Sequence, residues 1–415
     1  MLSSSEAEKV MSDKTAQKKA ARVIAFYLPQ FHPTPENDEW WGKGFTEWTN
    51  VASARALFKG HEQPVIPADL GFYDLRLPET RLAQAEMAAS YGVEGFCYWH
   101  YWFGGRRMLE RPFNEVLSSG QPDFPFCVGW ANHSWSGIWK DEPHRKLIDQ
   151  TYPGDEDDRA HFEYLLKAFS DERYITVDGK PLLVIFKPTD MPDPKRRFDL
   201  WRELALQAGL KGLHIVGINM LDFKSAKELG LDAVTLSTLA VTNTANPVVN
   251  ALTKNLWRIR RKLSLGGPRI VEYSEAIKLL VPDLNQLDCE AYPCVYPNWD
   301  NTPRKGRKGL VLANSTPALF EKHVKEAVTA LGDRADEHKL VFLLIAQLNL
   351  AGLQLGDHHA LVFRKQPLNN AVRVQVPHPD MHLVPGLRGA GSSEALDHVR
   401  DAIQHQRNAT PEFRG

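Results

Sequence analysis

Eight short apolar runs separated by helix-compatible segments constrain the fold more than any other feature of this sequence. They are VIAFYL (Val23–Leu28), GFCYWHYW (Gly95–Trp102), PFCVGWA (Pro125–Ala131), PLLVIF (Pro181–Phe186), LHIVGIN (Leu213–Asn219), DAVTL (Asp232–Leu236), CVYP (Cys294–Pro297) and LVFLLIA (Leu340–Ala346). A sheet with one wet face would alternate apolar and polar residues, whereas these runs are nearly continuous, which suits parallel strands covered on both faces. Between them, Pro78 opens an amphipathic stretch that stops at Gly92, Pro194 opens one that stops at Gly209, and a third runs from Thr316 to Leu331 before Gly332. Strands alternating with helices require right-handed βαβ units, in a barrel or in a doubly wound sheet. No run leads into G-x-G-x-x-G or G-x-x-x-x-G-K, so the dinucleotide form of the open sheet loses its main support and no cofactor is expected. Eight strands close an α/β barrel, and the expected fold is a (β/α)8 TIM-like barrel.

Composition agrees with a large globular unit. The chain has 415 residues, 43% of them hydrophobic, which is ample material for a core. Its 50 Lys+Arg balance 51 Asp+Glu, against a nucleic-acid binder that depends on phosphate neutralisation. Residues 1–21 are polar and mixed in charge and read as a disordered leader with no export signal. The barrel is expected over 22–346 and a divergent or incomplete end over 347–415, where Trp and Tyr are absent and only Ser393–Gln406 reads as a helix. The longest plain apolar run, Leu340–Ala346, is far short of the roughly 20 residues of a membrane helix, so no membrane span is expected. Cys97, Cys127, Cys289 and Cys294 form no C-x-x-C pair and read as reduced thiols, mostly buried, which suits a cytoplasmic protein.

Eight of the 11 tryptophans lie between Trp40 and Trp139. In a barrel the chemistry sits where the strands end, and four segments follow strands there: Pro29–Asn50, His100–Phe113, Asn132–His144 and Tyr296–Gly306. They hold Trp, His, Asn and carboxylates where ordinary loops hold Gly, Ser and Lys. Such a mixture suits carbohydrate, whose C–H faces pack on aromatic rings while its hydroxyls need donors and acceptors at the rim. Trp40, Trp41 and Trp48 are expected in the site, Trp130, Trp135 and Trp299 fit either the site or the core, and Trp201, inside a helical pattern, is expected in the core. His32, His100 and His133 each follow a strand, but without H-x-x-x-H or H-E-x-x-H spacing no metal is expected, and hydrogen bonding to ligand hydroxyls is their better use. Glu39, Tyr101, Trp102 and Asn301 complete the expected binding set. The cluster TPRKGRK at 302–308 is either a phosphate or nucleotide-sugar contact or a solvated loop.

The run FYLPQFHPTPENDEWWGKGFTEWTNV, followed by FKGHEQPVIPADLGFYDLRLPE, GFCYWHYWF, LERPF, PDFPFCVGWAN, DGKPLLVI and PNWDNTPR, resembles the glycoside hydrolase family 99-like, WbsX-type proteins of lipopolysaccharide and polysaccharide biosynthesis. The resemblance covers Arg22 to about Leu344. It implies a (β/α)8 barrel with a carbohydrate-active role, an oligosaccharide or polysaccharide substrate, and a pocket lined by Glu47, Trp48, Trp130, Asn132, Trp299, Asp300 and Arg304. The pattern departs after the eighth run, where the family carries A-W-N-E-W-x-E-G and this chain has QLNLAGLQLGDHHA. In register, Asn349 and Gly352 stand where two catalytic Glu are expected, and His133 stands for a carboxylate of N-E-N-W. Glycosidic chemistry normally needs two carboxylates. Glu36, Asp38, Glu39, Glu47 and Asp300 share the expected mouth, and Glu47 and Asp300 are the candidates for catalysis. Two readings follow: a hydrolase or transferase acting on a glycosidic bond, and a catalytically silent sugar-binding relative. A nucleotide-sugar transferase on an open sheet is weaker, because the phosphate-binding Gly loop and a clear D-x-D are missing.

Overall fold

The computed structural model describes residues 20–67, 69–137, 142–218, 226–235, 266–281, 284, 289–344, 353–356 and 360–363, of which 142–145, 353–356 and 360–363 are described by backbone alone. Most of the 1–21 leader, and the 347–415 tail apart from two short strands, Leu353–Gly356 and Ala360–Phe363, lie outside the described residues. So do Asn349 and Gly352.

All eight expected strands form. In chain order they are β1 (Arg22–Tyr27), β2 (Gly95–Phe103), β3 (Phe126–Trp130), β4 (Lys180–Ile185), β5 (His214–Ile218), β6 (Ala233–Thr235), the pair β7 (Glu290–Tyr292) and β8 (Cys294–Val295), and β9 (Leu340–Leu343). Every neighbour pairing among them is parallel, in the order β7-β6-β5-β4-β3-β2-β1-β9-β8. The two ends of that order are consecutive in sequence and separated by Pro293 alone. Pro293 has no N–H to give to a ladder, and it divides one stave into two halves. The first half pairs with β6, Ala233 opposite Glu290, and the second with β9, Cys294 opposite Phe342. The Pro293 carbonyl still accepts from the Phe342 N–H at 2.9 Å. Eight staves therefore close a barrel whose seam joins the first and last strands, Arg22 opposite Leu340.

The returning helices are α1 (Pro35–Trp41), α2 (Glu47–Ser53), α3 (Pro78–Ser90), α4 (Arg111–Ser119), α5 (Asp155–Phe169), α6 (Pro194–Gln207), α7 (Tyr273–Leu280), α8 (Thr302–Lys305) and α9 (Pro317–Leu331). The Pro-start, Gly-stop stretches become α3, α6 and α9, and Thr316 caps α9 by accepting from the Leu319 N–H. No helix among the described residues is long and apolar enough to cross a membrane.

Alternation along each strand decides which side chains face the barrel interior. Phe26, Trp99 and Phe342 face one another there: Trp99 stacks on Phe26 at 4.9 Å and Phe342 packs on Phe26 at 5.3 Å. Their sequence neighbours point outward to the helices. Tyr27 donates to Gln84 of α3 at 2.7 Å, Tyr98 packs on Phe113 of α4, and Trp130 packs on Trp201 of α6. Trp201 is fully buried and gives its indole N–H to the Asp158 carbonyl, as the helical pattern around it suggests.

Candidate functional site

The mouth is built from the segments that follow β1, β2, β3 and β8. After β1 the chain folds into two short helices where sequence reading gives only a loop. Thr34 caps α1, with Pro35 at its first position and Glu36 and Asp38 in its first turn, and Thr46 forms a capping box with Thr49 on α2. These local signals place Trp40 and Trp41 at the end of α1 and Glu47 at the start of α2.

After β2 the strand runs on past the barrel. Its last residues pair antiparallel with Arg106–Met108, Tyr101 opposite Met108, through a turn at Gly104 and Gly105, whose φ values of 57° and 87° suit glycine. The projecting hairpin makes an aromatic wall. Tyr101 and Phe103 lie edge-on to Trp135 at 5.0 and 6.0 Å, and Trp40 reaches Trp135 from α1 at 6.0 Å. Trp40, Tyr101, Phe103, Met108, Leu109 and Ala131 form a second apolar cluster apart from the main core, with Trp41, Trp99 and Trp135 partly buried against it.

Glu47 and Arg304 link two sides of the mouth. The Arg304 Nε donates to Glu47 Oε2 at 2.8 Å, and Asn50 Nδ2 lies 3.4 Å from the same oxygen. Glu47 is buried, and its other oxygen, Oε1, has no hydrogen-bond partner among the described residues. The Tyr101 hydroxyl is held well above the usual phenol range, chiefly by burial; the Arg304 charge opposes this shift and the Glu47 charge adds to it. Asp300 has a different environment. Its Oδ2 accepts from His61 Nε2 at 2.8 Å and Gln63 Nε2 at 2.5 Å, and its Oδ1 accepts from the Thr302 N–H at 2.8 Å. Since His61 Nδ1 accepts from the Leu57 N–H at 3.1 Å, the His61 proton is on Nε2 and points at Asp300. Asp300 is therefore a fastener between the 57–63 connection and α8. Asn301 likewise uses its carbonyl oxygen on the Leu310 N–H at 2.7 Å. Trp299 is half-buried beside Tyr296, and its indole N–H is buried with no partner among the described residues.

Most other expected site residues pack on, or bond to, the protein's own groups. His100, Trp102 and Trp130 point outward against α5 and α6: His100 Nε2 is 2.9 Å from His161 Nε2, Trp102 stacks on His161 at 4.5 Å and donates to Asp157 at 3.0 Å, and Trp130 lies 4.7 Å from His161. Burial pushes His100 down to about 3 and His161 well below the usual imidazole range, so both rings are neutral at pH 7. Trp48 is buried against Phe31 and gives its N–H to the Tyr73 carbonyl at 2.7 Å. His32 is buried, pushed down to about 4 chiefly by desolvation, with Asp74 and Arg76 among its charged neighbours. Glu39 is exposed on α1. Asn132 uses its side chain on the protein itself, accepting from the Lys187 N–H at 2.8 Å and donating to the Lys187 carbonyl at 2.8 Å and to Tyr152 at 3.1 Å, which ties the ends of β3 and β4 together.

Three residues at the mouth were not singled out as ligand-stacking groups in the sequence: Trp99, Phe186 and His133. Trp99 is half-buried, inward-facing, and edge-on to Phe186 at 5.6 Å; His133 packs 5.1 Å from Phe186. Burial, with the Lys187 charge adding to it, pushes His133 down to about 4, and its Nδ1 has no partner among the described residues. The period of two in GFCYWHYWF carries the missed signal, since it groups Trp99 with Tyr101 and Phe103 and sets His100 and Trp102 on the other face. No group of His, Cys, Asp and Glu among the described residues has a metal-holding arrangement.

"Uncharacterized protein WxcX" of Xanthomonas campestris pv. campestris is 34% identical over 332 residues, which cover 78% of this chain and 45% of that protein; this chain thus spans less than half the length of the curated relatives it matches. Among solved structures, a "Glycoside hydrolase-like protein" is 17% identical with a TM-score of 0.45, covering 78% of this chain and 83% of its own. A GH99 endo-alpha-mannosidase from Bacteroides thetaiotaomicron is 13% identical with a TM-score of 0.44, covering 83% and 89%. A family model described as "Glycosyltransferase WbsX" matches residues 23–345, the whole closed barrel from β1 to β9, and the chain belongs to that family.

Proposed function

We propose that the mouth binds a glycan and acts at a glycosidic bond during polysaccharide assembly. One observation carries this reading: a carboxylate with one oxygen anchored and the other buried and unpartnered, Glu47, shares the mouth with the half-exposed face of Trp99. A sugar ring placed on Trp99 would bury its C–H face on the indole and offer hydroxyls to Glu47, Tyr101 and His133. Arg304 fixes the Glu47 carboxylate in one orientation, and its unpartnered oxygen, covered by the protein in this state, accepts a hydrogen bond from a glycan hydroxyl once the groups over it shift aside. Neutral His133, its Nδ1 unpartnered among the described residues, is a second hydrogen-bonding group. Asp300, whose acceptor sites are engaged by His61, Gln63 and Thr302, positions the two connections and leaves the chemistry to Glu47.

Titration of the full chain with neutral oligosaccharides, followed by calorimetry and tryptophan fluorescence, tests this. Glu47→Gln and Trp99→Ala should each weaken binding by about tenfold, the scale of one charged hydrogen bond or one aromatic platform. Trp102→Phe, on the outer face, should leave binding unchanged. Parent-like binding by both mouth variants would remove the site from the mouth.

A second reading, a sugar-binding relative without turnover, is favoured by Asn349 and Gly352 in place of the two Glu expected from the resemblance. Release of reducing ends, or transfer to an acceptor, by the parent chain would exclude it; saturable binding with neither product would support it.

A further inference from the structure

Asn37 is a buried polar residue of α1 whose side chain the rest of the protein leaves unused. It is 1% exposed, and neither the oxygen nor the nitrogen of its amide has a hydrogen-bond partner among the described residues. No other described residue buries two such atoms. An amide buried in this way loses its bonds to water and gains none in return, so its place calls for a partner from outside the chain. Along the same stretch Gln30, His32 and Glu47 each bury one further unpartnered atom, and the Gln30 carbonyl accepts the Glu47 N–H at 3.3 Å. Helix spacing sets Asn37 one turn before Trp40, and these two are the buried residues of α1. Trp40 belongs to the apolar cluster with Tyr101, Phe103 and Ala131, and Glu36 meets Arg106 of the hairpin at 3.4 Å, so the buried face of α1 lies against the hairpin wall of the mouth. Tyr101 of that wall is also the residue whose hydroxyl feels the Glu47 and Arg304 charges.

We propose that Asn37 is a sugar-binding residue whose amide takes two adjacent hydroxyls of an uncharged ring. This rests on the glycan reading of the mouth and narrows it to neutral sugars. An amide presents an acceptor and a donor side by side, so one ring hydroxyl donates to Oδ1 while the oxygen of its neighbour accepts from Nδ2. An anionic group would use the donor alone and leave Oδ1 empty. The charge of the stretch agrees, since residues 36–47 carry four carboxylates, Glu36, Asp38, Glu39 and Glu47, against Lys43 alone. The amide is covered in this state, so the ring reaches it as α1 lifts from the wall. That helix is seven residues long and is followed by Gly42 and Gly44, whose φ values of 106° and 79° suit glycine and which have open space around them.

The test is calorimetric titration of the full chain with neutral tetrasaccharides of glucose, of mannose and of galactose, and with tetragalacturonate as the acidic comparison. Parent, Asn37→Leu, Asn37→Ala and Glu47→Gln are titrated, and each is unfolded in denaturant. Both Asn37 variants should bind the parent's neutral ligand about tenfold more weakly, and Asn37→Ala, which adds no bulk, separates loss of the amide from steric blockade. Asn37→Leu should match or exceed the parent's denaturation midpoint, because an apolar group of similar size replaces polar atoms that nothing satisfies. The parent should bind tetragalacturonate several-fold more weakly than the neutral ligand. Parent-like binding by both Asn37 variants, with Glu47→Gln weakened, overturns this inference and leaves the glycan reading standing. Parent-like binding by Glu47→Gln and the Asn37 variants alike, or no neutral-sugar binding by the parent, overturns both. A lowered midpoint for Asn37→Leu, the sign of an amide bonded within the protein or to a structural water, also overturns the inference, as does tetragalacturonate binding equal to or tighter than the neutral ligand.

Discussion

Trp99 has space in the barrel because residue 129 opposite it has no side chain. A Cβ on Gly129 would stand 3.2 Å from the Trp99 ring and 3.1 Å from the Cys97 sulfur. Gly129→Ala should therefore displace the ring by a few tenths of an ångström, weaken oligosaccharide binding more than it lowers stability, and alter the tryptophan emission of the free protein. Parent-like emission and affinity together would show that the ring is not the platform. Asn132 makes the opposite prediction. Its amide closes the gap between β3 and β4, so Asn132→Ala should cost about 1–3 kcal/mol of unfolding free energy by denaturant titration, because the Lys187 backbone groups lose their partner. The family resemblance singled out Glu47 and Arg304, and the structure joins them. Residue type could not separate Trp99 from Trp102, since both are tryptophans, three residues apart on opposite faces of β2, and only tertiary packing names the inner face.

Strands and three of the helices were legible because their signals are local. Proline and glycine bracket α3 and α6, and Thr316 starts α9; Thr316→Ala should destabilise by about 1 kcal/mol through loss of that cap, measurable as a small fall in the denaturation midpoint. The short helices α1 and α2 were harder to see. Seven residues give a helix too little length to show periodicity, and only the Thr caps, the Pro35 start and the acidic first turn mark them. The division of the seventh stave was also hidden. Pro293 is visible in the sequence, but that its two flanks serve different neighbours follows from closure, a relation between residues some fifty apart on either side.

Over the whole molecule, histidines set two opposing dependences on pH. His100, His161, His32 and His323 are all lowered, chiefly by burial, His100 to about 3 and His32 and His323 to about 4. The unfolded chain takes up these protons near pH 6.5 and the folded chain does not, so stability should fall as pH drops from about 6.5 toward 4. His338 works the other way. Burial lowers its affinity for a proton, but hydrogen bonds to Glu290 at 2.9 Å and Asp178 at 3.1 Å outweigh this and raise it. That contribution is complete below pH 6.5 and is lost as pH rises through the raised value. Denaturant midpoints between pH 4 and 9 should peak near neutrality, and His338→Gln should flatten the alkaline limb alone; an unchanged alkaline limb would mean that the clamp adds nothing. The seam of the barrel has a further consequence during synthesis. Until Leu343 has left the ribosome, β1 and β8 each present an open strand edge, the oldest and nearly the newest parts of the barrel, exposed together and ready to pair with another chain. A chain ending before Leu340 should accordingly accumulate as aggregates, and growth temperature or chaperone supply should govern the yield of soluble protein more strongly than any single substitution at the mouth.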